Sequence, residues 1–193
     1  MRIVTLALLA SPAAFGSTQT SMPYAPTVSV QPTAEAARPL VAVDDRVVNE
    51  RRAGRADPTW IGTIRGGYGN PLKRLNSDAA FADGLVARGL RSPAGNSASS
   101  YRLAVTIHHF DANQYVRREA TADFSAVLTD GATGREVRRD RHRAYNVDGS
   151  LLSLSVGVFA STEDLRHVAL LTMSQAVDAL LDKPGSRAAL RRG

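Results

Sequence analysis

The chain has 193 residues, of which 44% are hydrophobic and 22% are charged, a size and composition typical of one globular domain. It contains no cysteine, which excludes disulfides, thiolate nucleophiles and cysteine-ligated zinc or iron–sulfur sites. The formal net charge is +6, and Lys73 and Lys183 are the only lysines, so arginine carries the positive charge. Arginine binds carboxylates and phosphates, so an anionic partner is one explanation of the preference for arginine over lysine. A GC-rich genome would give the same preference, and both explanations stay open.

The first 16 residues have the layout of a secretory signal peptide. An apolar segment, Ile3–Ala10, follows the basic second residue and ends before Pro12; it is too short to span a bilayer. Ala14 and Gly16 then satisfy the small-residue rule, which predicts cleavage before Ser17 and export to the periplasm. The alternative is that the apolar segment forms a buried first strand.

Residues 17–39 are rich in proline, serine and threonine and almost free of charge. Such a segment has little apolar surface to offset the entropy of ordering it, so we expect a disordered tether that adds nothing to folding stability. A signal followed by a tether is also the layout of a bacterial lipoprotein. Ser17 stands where the lipid-bearing cysteine would be, so the prediction is a soluble periplasmic protein. Association with the outer membrane is the less favoured alternative.

Residues 40–183 are predicted to form a single domain, followed by a basic flexible tail over residues 184–193. Its first part contains strand patterns at residues 40–45 and 59–64 and a helix that begins near Ser77 and ends at Gly89. The intervening "GGYGNP" matches neither a Walker loop nor a dinucleotide fingerprint, and a plain loop is expected.

The second part predicts an antiparallel meander. Alternation of apolar and polar residues marks strands at residues 101–110 and 120–128, and the turn sequence "TDGATG" leads into a third strand at residues 135–147. A long helix from Thr162 to about Leu181 follows, with a broad apolar stripe. The predicted fold is α+β, with an antiparallel or mixed sheet of about four to five strands and two helices packed on one face.

The third strand of the meander is unusually rich in arginine. Such a strand suits a sheet edge, where charge prevents edge-to-edge aggregation. It could instead form a phosphate-binding ribbon, although no stacking aromatic residues interleave with the arginines. The candidate anion-binding residues are Arg135, Arg138, Arg139, Arg141 and Arg143.

Residues 150–160, "SLLSLSVGVFA", form a second candidate contact surface. Leu152, Leu154, Val156 and Val158 alternate with small or polar residues. The alternation favours a core strand, while an exposed apolar loop that contacts a partner or a membrane is the alternative.

The histidines do not predict a metal site. His108 and His109 are adjacent on a strand, so we expect them to face opposite sides of the sheet. His109 and Asp111 share a side and could bind a metal only with a third residue such as His142; a solvated strand end is the simpler interpretation.

Other catalytic patterns are absent from the sequence. Asp44 and Asp45 are adjacent at the end of a strand and make a poor acid–base pair, and Ser153 and Ser155 lack the Gly-x-Ser-x-Gly elbow of a serine hydrolase. No catalytic residue, cofactor site or metal site is therefore predicted.

The order of features over residues 40–182 resembles a group of small bacterial envelope lipoproteins of the YajG type, akin to the TolB amino-terminal domain and the curli-secretion lipoprotein. The resemblance rests on "VAVDDR", "ARGL", "YRLAVTI", "FSAVLTDGATGREV" and "ALLTMSQAVDALL". It implies an accessory role in envelope assembly or maintenance without catalysis. The sequence differs from these lipoproteins at Ser17, which stands in place of the lipid-bearing cysteine.

Two classes of function remain after the sequence analysis. The first is a non-catalytic envelope protein that binds a protein partner. Peripheral association with a membrane is compatible with this class, and nucleic acid is not expected as a partner. The second is an anion binder that uses the arginine-rich strand on lipopolysaccharide phosphate, anionic lipid or nucleic acid.

Overall fold

The structure, a computed structural model, describes residues 18–30, 41–43, 48–49, 62–65, 71–76, 79–91, 101–114, 117–148 and 162–185. These residues form two helices and eight strands in one mixed sheet. The α+β class is confirmed, as is the antiparallel meander within the sheet. The described strands outnumber the four to five predicted, because short strands add to the meander on its other side. Neither of the two described helices has the length and apolar character to cross a membrane.

The strands are β1 (Thr18–Ser21), β2 (Val41–Val43), β3 (Val48–Asn49), β4 (Gly62–Arg65), β5 (Pro71–Asn76), β6 (Tyr101–Gln114), β7 (Arg118–Asp130) and β8 (Glu136–Asp148), and the helices are α1 (Ala80–Ala87) and α2 (Thr162–Leu181). The order across the sheet is β1-β5-β4-β6-β7-β8, and β2 and β3 also pair with β6.

Strands β6, β7 and β8 form the predicted meander and pair antiparallel over nearly their whole length. Asp130 starts the turn between β7 and β8: its carboxylate accepts hydrogen bonds from the Ala132 and Thr133 backbone N–H groups at 3.0 and 2.7 Å. Gly134 closes the turn with a positive φ of 69°, a conformation that favours glycine. Among the described strands, the arginine-rich β8 lies at the end of the order. Its place at the edge of the whole sheet stays a prediction.

The hydrophobic core lies between one face of the meander and the two helices. The Phe124 ring of β7 packs edge-on against Phe81 of α1 and Phe110 of β6, with ring centroids 5.8 Å apart in both pairs. On β8, the Asn146 side-chain amide donates to Thr172 of α2 at 3.0 Å. Because Phe124 and Asn146 share a face of the sheet by strand register, both helices contact that face, which we call the inner face; the opposite side is the outer face.

The apolar stripe predicted on the long helix is confirmed. All six of its members are buried on α2: Leu165, Ala169, Met173, Ala176, Val177 and Leu180. Helix α1 ends as the sequence predicted, at Gly89, which has a φ of 68°. The N–H of Leu90 then donates to the carbonyl of Leu85 at 2.9 Å, which completes a glycine-based helix end.

The first described segment differs from the predicted tether. Residues 17–39 were expected to be disordered, but β1 pairs in parallel with β5, and the next residue, Met22, is only 2% exposed. For residues 18–30 the prediction was wrong, because the segment finds its partners far away in the sequence. The other predicted domain boundaries stay predictions.

Candidate functional site

The outer face of β8 carries a continuous row of exposed side chains, which we call the outer row: Arg139, Arg141, Arg143, Tyr145 and Val147. They occupy alternate positions of one strand and therefore point to the same side. The register with β7 runs from Val127 beside Arg139 to Glu119 beside Val147. The row thus lies along the long strand on the side away from the helices.

Three of the five candidate anion-binding arginines form ion pairs within the chain. Arg141 donates both Nε and Nη2 to the carboxylate of Asp123 at 2.9 and 2.8 Å. Arg139 donates to Glu136 at 2.7 and 3.2 Å. Arg138 donates to Asp140 with Nη2 at 3.2 Å. Each pair engages part of the guanidinium and offsets some of the positive charge that would attract an anionic ligand.

The remaining two arginines, Arg135 and Arg143, are exposed but do not lie together. Arg135 follows the β7–β8 turn, whereas Arg143 lies opposite Asp123 in the middle of the ribbon. Arg138 is opposite Leu128 and so belongs to the inner face rather than the outer row. The structure therefore does not bring the five predicted arginines into one site, and anion binding stays a prediction.

One end of the outer row is apolar. Tyr145 is 50% exposed and Val147 is 40% exposed, so two neighbouring side chains of the row present apolar surface to solvent. Arg143 adjoins them on the same side of the strand. Tyrosine and arginine next to an aliphatic residue is a composition enriched at protein–protein interfaces.

The two adjacent histidines lie on the same face, contrary to the expectation from simple alternation. A bulge between Ile107 and His109 makes β6 advance by two residues where β7 advances by one. The ring of His108 consequently reaches Ser125 Oγ at 2.9 Å, on the same outer face as His109, whose ring nitrogen is 3.4 Å from Asp111 Oδ2.

The predicted third metal ligand lies on the other side of the sheet. His142 pairs with Phe124 in the register and therefore belongs to the inner face. Burial lowers the pKa of His142, with a further contribution from nearby Lys183. Among the described residues no group of three His, Asp or Glu side chains could hold a metal ion. Asp44, Asp45, Ser153, Ser155 and the surface Leu152, Leu154, Val156 and Val158 lie outside the described residues.

A buried polar cluster joins three separate parts of the chain, and we call it the clasp: Tyr24, Thr27, Arg88, Asp178 and Asp182. The Thr27 backbone N–H and hydroxyl both donate to Asp178 Oδ2, at 2.8 and 2.6 Å, and the Tyr24 hydroxyl donates to Oδ1. Arg88 Nη2 bridges Asp178 at 2.7 Å and Asp182 at 2.6 Å. Arg88 is 4% exposed, so the charges are both buried and paired.

Hydrogen bonding determines the charge states in the clasp. Burial alone would raise the pKa of Asp178, but the hydrogen bonds from Thr27, Tyr24 and Arg88 outweigh it and hold that pKa below its ordinary value. Burial would lower the pKa of Arg88, and its hydrogen bonds to Asp182 and Asp178 raise it instead. Asp178 and Arg88 are therefore both ionised in the folded protein.

Residues 22–28, which we call the strap, run alongside α2. Arg166 Nη1 donates to the carbonyl of Ser21 at 3.2 Å, the Ala25 N–H donates to Ser174 Oγ at 3.3 Å, and Thr27 donates to Asp178. From Arg166 to Asp178 the helix rises about 18 Å, and an extended chain from Ser21 to Thr27 covers about 20 Å. The strap is therefore extended and parallel to the helix.

Tyr24 supplies a prediction about alkaline pH. Burial, together with the hydrogen bond donated to Asp178, raises the pKa of Tyr24 from 10.0 to about 12. The unfolded chain loses this proton near pH 10 and the folded chain only near pH 12, so the free energy of unfolding should fall across that interval. The stability advantage of the natural chain over Tyr24→Phe should shrink across that interval and stay constant between neutral pH and its lower end. Urea denaturation at a series of pH values measures it, and an ionisation of Tyr24 near pH 10 by absorbance would contradict it.

The sequence analysis missed the clasp, although one signal for it was present. Asp178 lies within the apolar stretch "SQAVDALL" of α2, and a carboxylate on a buried helical stripe requires a partner. Nothing local identifies the partner as Arg88, which is 90 residues away, or as Thr27.

The fold is similar to that of a protein of the DUF330 family from Xanthomonas campestris. The superposition covers 84% of this chain and 92% of that chain, with a TM-score of 0.55 and 17% sequence identity. This similarity establishes a shared fold. No model of a known protein family matches the chain, and no curated protein does.

Two other solved structures superpose less well. PelC from Paraburkholderia phytofirmans, a dodecamer, is 15% identical and gives a TM-score of 0.42 over 80% of this chain and 91% of that chain. Lipoprotein GNA1162 from Neisseria meningitidis is 16% identical and gives a TM-score of 0.26 over 38% of this chain and 51% of that chain. The predicted resemblance to YajG-type proteins and the TolB amino-terminal domain stays a prediction.

Proposed function

We propose that this protein is an exported, non-catalytic accessory protein of the bacterial cell envelope that binds a protein partner through the outer row of β8. The predicted export signal, with its expected end at Gly16, supports the proposed location in the periplasm. The observation that carries the binding role is the exposed pair Tyr145 and Val147 on a strand whose other neighbours in the row are arginines.

Pairing with β7 holds the backbone of the outer row in one conformation. Strand β8 pairs with β7 from Arg118 opposite Asp148 to Thr129 opposite Glu136. Arg118 also bridges Asp148 at 2.9 Å and Asp164 of α2 at 3.0 Å, which fixes the end of β8 that carries Val147. A rigid surface loses little entropy when a partner binds.

A photo-crosslinking amino acid placed at position 145 should capture a discrete partner in living cells. The matched control is position 171, because Leu171 on α2 is 39% exposed and lies outside the outer row. We expect a defined adduct from position 145 and none from position 171. Tyr145→Ala should weaken binding of the captured partner at least about tenfold and leave the thermal midpoint unchanged. Equal labelling from both positions would argue against the outer row.

The second candidate function, anion binding, is favoured by the exposure of Arg135 and Arg143. Salt separates it from the first candidate, because binding between exposed charges weakens steeply with ionic strength and an apolar contact does not. Binding to vesicles that contain anionic lipid, lost at high salt and reduced by Arg143→Ala, would support the anion binder. Partner binding that persists at high salt and depends on Tyr145 would support the protein contact.

A further inference from the structure

The backbone groups of the outer row point away from β7. In the middle of the row, the carbonyl of Arg141 accepts a hydrogen bond from Lys183 Nζ at 3.2 Å, and Lys183 lies beyond the end of α2 rather than on β7. In an antiparallel ladder both backbone groups of a residue point the same way, and this direction alternates along the strand. The N–H and C=O groups of Arg143, Tyr145 and Val147 therefore point the same way as those of Arg141.

Counting residues from the β7–β8 turn gives the same direction. The Asp130 N–H donates to the Arg135 carbonyl at 2.9 Å. The bulge between Leu128 and Thr129 then adds one residue to β8 before Arg138 pairs with Leu128. From Arg138 onward the even-numbered residues of β8 are the ones bonded to β7, so the odd-numbered residues of the outer row direct their backbone groups to the other side.

The end of β8 beyond Arg141 has the backbone groups that a further strand would need. Among the described strands β8 ends the order across the sheet, and it contains no proline, so every backbone N–H in it is present. At Arg141 the side chain of Lys183 lies against this side of the strand. Pairing is therefore expected beyond that point, at residues 143–147, where a row of outward-directed backbone groups is a template for another chain.

The side chains of the same stretch specify the chemistry of a partner. Arg143 lies beside Asp123 in the register, but both oxygens of that carboxylate already accept from Arg141. A carboxylate of the partner would therefore suit Arg143, and apolar side chains would suit Tyr145 and Val147. Alternate residues of any extended chain recur at about 6.8 Å, which is the spacing of these three side chains on β8.

We propose that the partner of the outer row is an extended segment of another protein that adds to β8 as an antiparallel strand alongside residues 143–147. Its alternate side chains are a carboxylate facing Arg143 and two apolar groups facing Tyr145 and Val147. Main-chain hydrogen bonds then supply affinity and the alternate side chains supply specificity. The antiparallel direction continues the meander and gives the more stable pairing per residue. The proposal rests on the proposed function, because it takes the outer row as the contact surface.

Amide hydrogen exchange of the full chain, followed by NMR, tests the predicted edge first. The amides of Arg143, Tyr145 and Val147 should exchange at least about tenfold faster than those of Ala144 and Asn146, which are bonded to β7. Slow exchange of all five amides would mean that another part of this chain already covers the edge, and it would overturn the proposal.

The binding probe is a fluorescein-labelled peptide of seven residues, with isoleucine, valine and glutamate at its second, fourth and sixth positions and threonine elsewhere. In the antiparallel direction these three side chains face Val147, Tyr145 and Arg143. Fluorescence anisotropy should show saturable binding with a Kd below about 1 mM, and the bound peptide should slow the exchange of the three outward amides. A peptide that does not bind would contradict the proposal.

Two N-methylated forms of the peptide separate backbone pairing from side-chain contact. Methyl groups on the second, fourth and sixth nitrogens block the N–H groups that face β8 and should weaken binding at least about tenfold. Methyl groups on the third and fifth nitrogens face away from β8 and should leave binding unchanged. Equal affinities of the two forms would show that no strand is added.

A matched pair of variants tests the same point from the side of the protein. Val147→Ala and Val147→Pro both lose the valine side chain, but only proline also loses the outward N–H. The peptide should bind Val147→Pro at least about fivefold more weakly than Val147→Ala, with equal thermal midpoints because this N–H is not bonded to β7. Equal affinities would contradict strand addition.

The crosslinking experiment at position 145 distinguishes failure of this proposal from failure of the proposed function. A defined adduct in cells, combined with equal affinities of the two N-methylated peptides, would keep the outer row as the contact surface and overturn strand addition alone. Absence of any adduct from position 145 would overturn the proposed function and this proposal with it.

Discussion

Deleting residues 17–28 from a chain that begins at Ser17 should lower the thermal midpoint by about 10 °C. The deletion removes Met22 from the core, a loss comparable to a large-to-small core substitution of about 2–5 kcal/mol. It also takes away the three hydrogen bonds that Tyr24 and Thr27 donate to Asp178, while the buried carboxylate remains. Thermal unfolding of the two chains, one beginning at Ser17 and one at Ser29, measures the difference.

A single substitution separates the two causes of this loss. Met22→Ala keeps the clasp and removes only the core contact, so its midpoint should fall between those of the full and the shortened chains. Equal midpoints for the full and shortened chains would show that residues 17–28 are a tether after all. A shortened chain as unstable as Met22→Ala alone would show that the clasp adds nothing.

The elements that could be predicted from the sequence are those whose pattern is local. Strand β7 alternates apolar and polar residues over residues 120–126, and the stripe of α2 repeats at helical spacing. Their partners are neighbours in sequence, as in the β6–β7–β8 meander. The same reasoning located the turn at Asp130 and the helix end at Gly89, where a particular residue type is required.

The elements that were missed depend on distant partners. Strand β1 has four residues and no alternation of its own, and it exists because β5, more than fifty residues later, offers a parallel edge. The strap has too little apolar surface for an independent fold. It docks because Ser174 and Asp178 present acceptors at the spacing of an extended chain, which composition cannot show.

The histidine bulge is an intermediate case, because its signal was visible in the sequence. Apolar residues of β6 occupy alternate positions up to Ile107 and resume at Phe110, three residues later rather than two. A change of phase of this kind requires an extra residue in the strand. Assuming strict alternation through "IHHF" placed His108 on the wrong face.

Replacing Arg88 should destabilise the fold strongly. Arg88→Ala leaves the carboxylates of Asp178 and Asp182 without the cation that bridges them at 2.7 and 2.6 Å. Removing one partner of a buried ion pair costs about 3–5 kcal/mol, because the remaining charge stays buried and uncompensated. The matched control is Arg139→Ala, which removes an arginine–carboxylate pair of similar geometry from a fully exposed position and should leave stability unchanged.

Two further variants test why Arg88 is required. Arg88 Nη1 also donates to the Tyr24 hydroxyl at 2.9 Å. Lysine has a single ammonium group and cannot reach both carboxylates and this hydroxyl with a planar fork, so Arg88→Lys should be only partly as stable as the natural chain. Adding Asp178→Asn to Arg88→Ala should restore part of the lost free energy of unfolding, because the second change removes a buried charge that has lost its partner. Urea denaturation of the natural chain, the single variants Arg88→Ala and Asp178→Asn, and the double variant gives the coupling energy between the two residues. A coupling near zero, or equal losses for Arg88→Ala and Arg139→Ala, would mean that the carboxylates reach water once the guanidinium is gone and that the clasp is held by the strap hydrogen bonds alone.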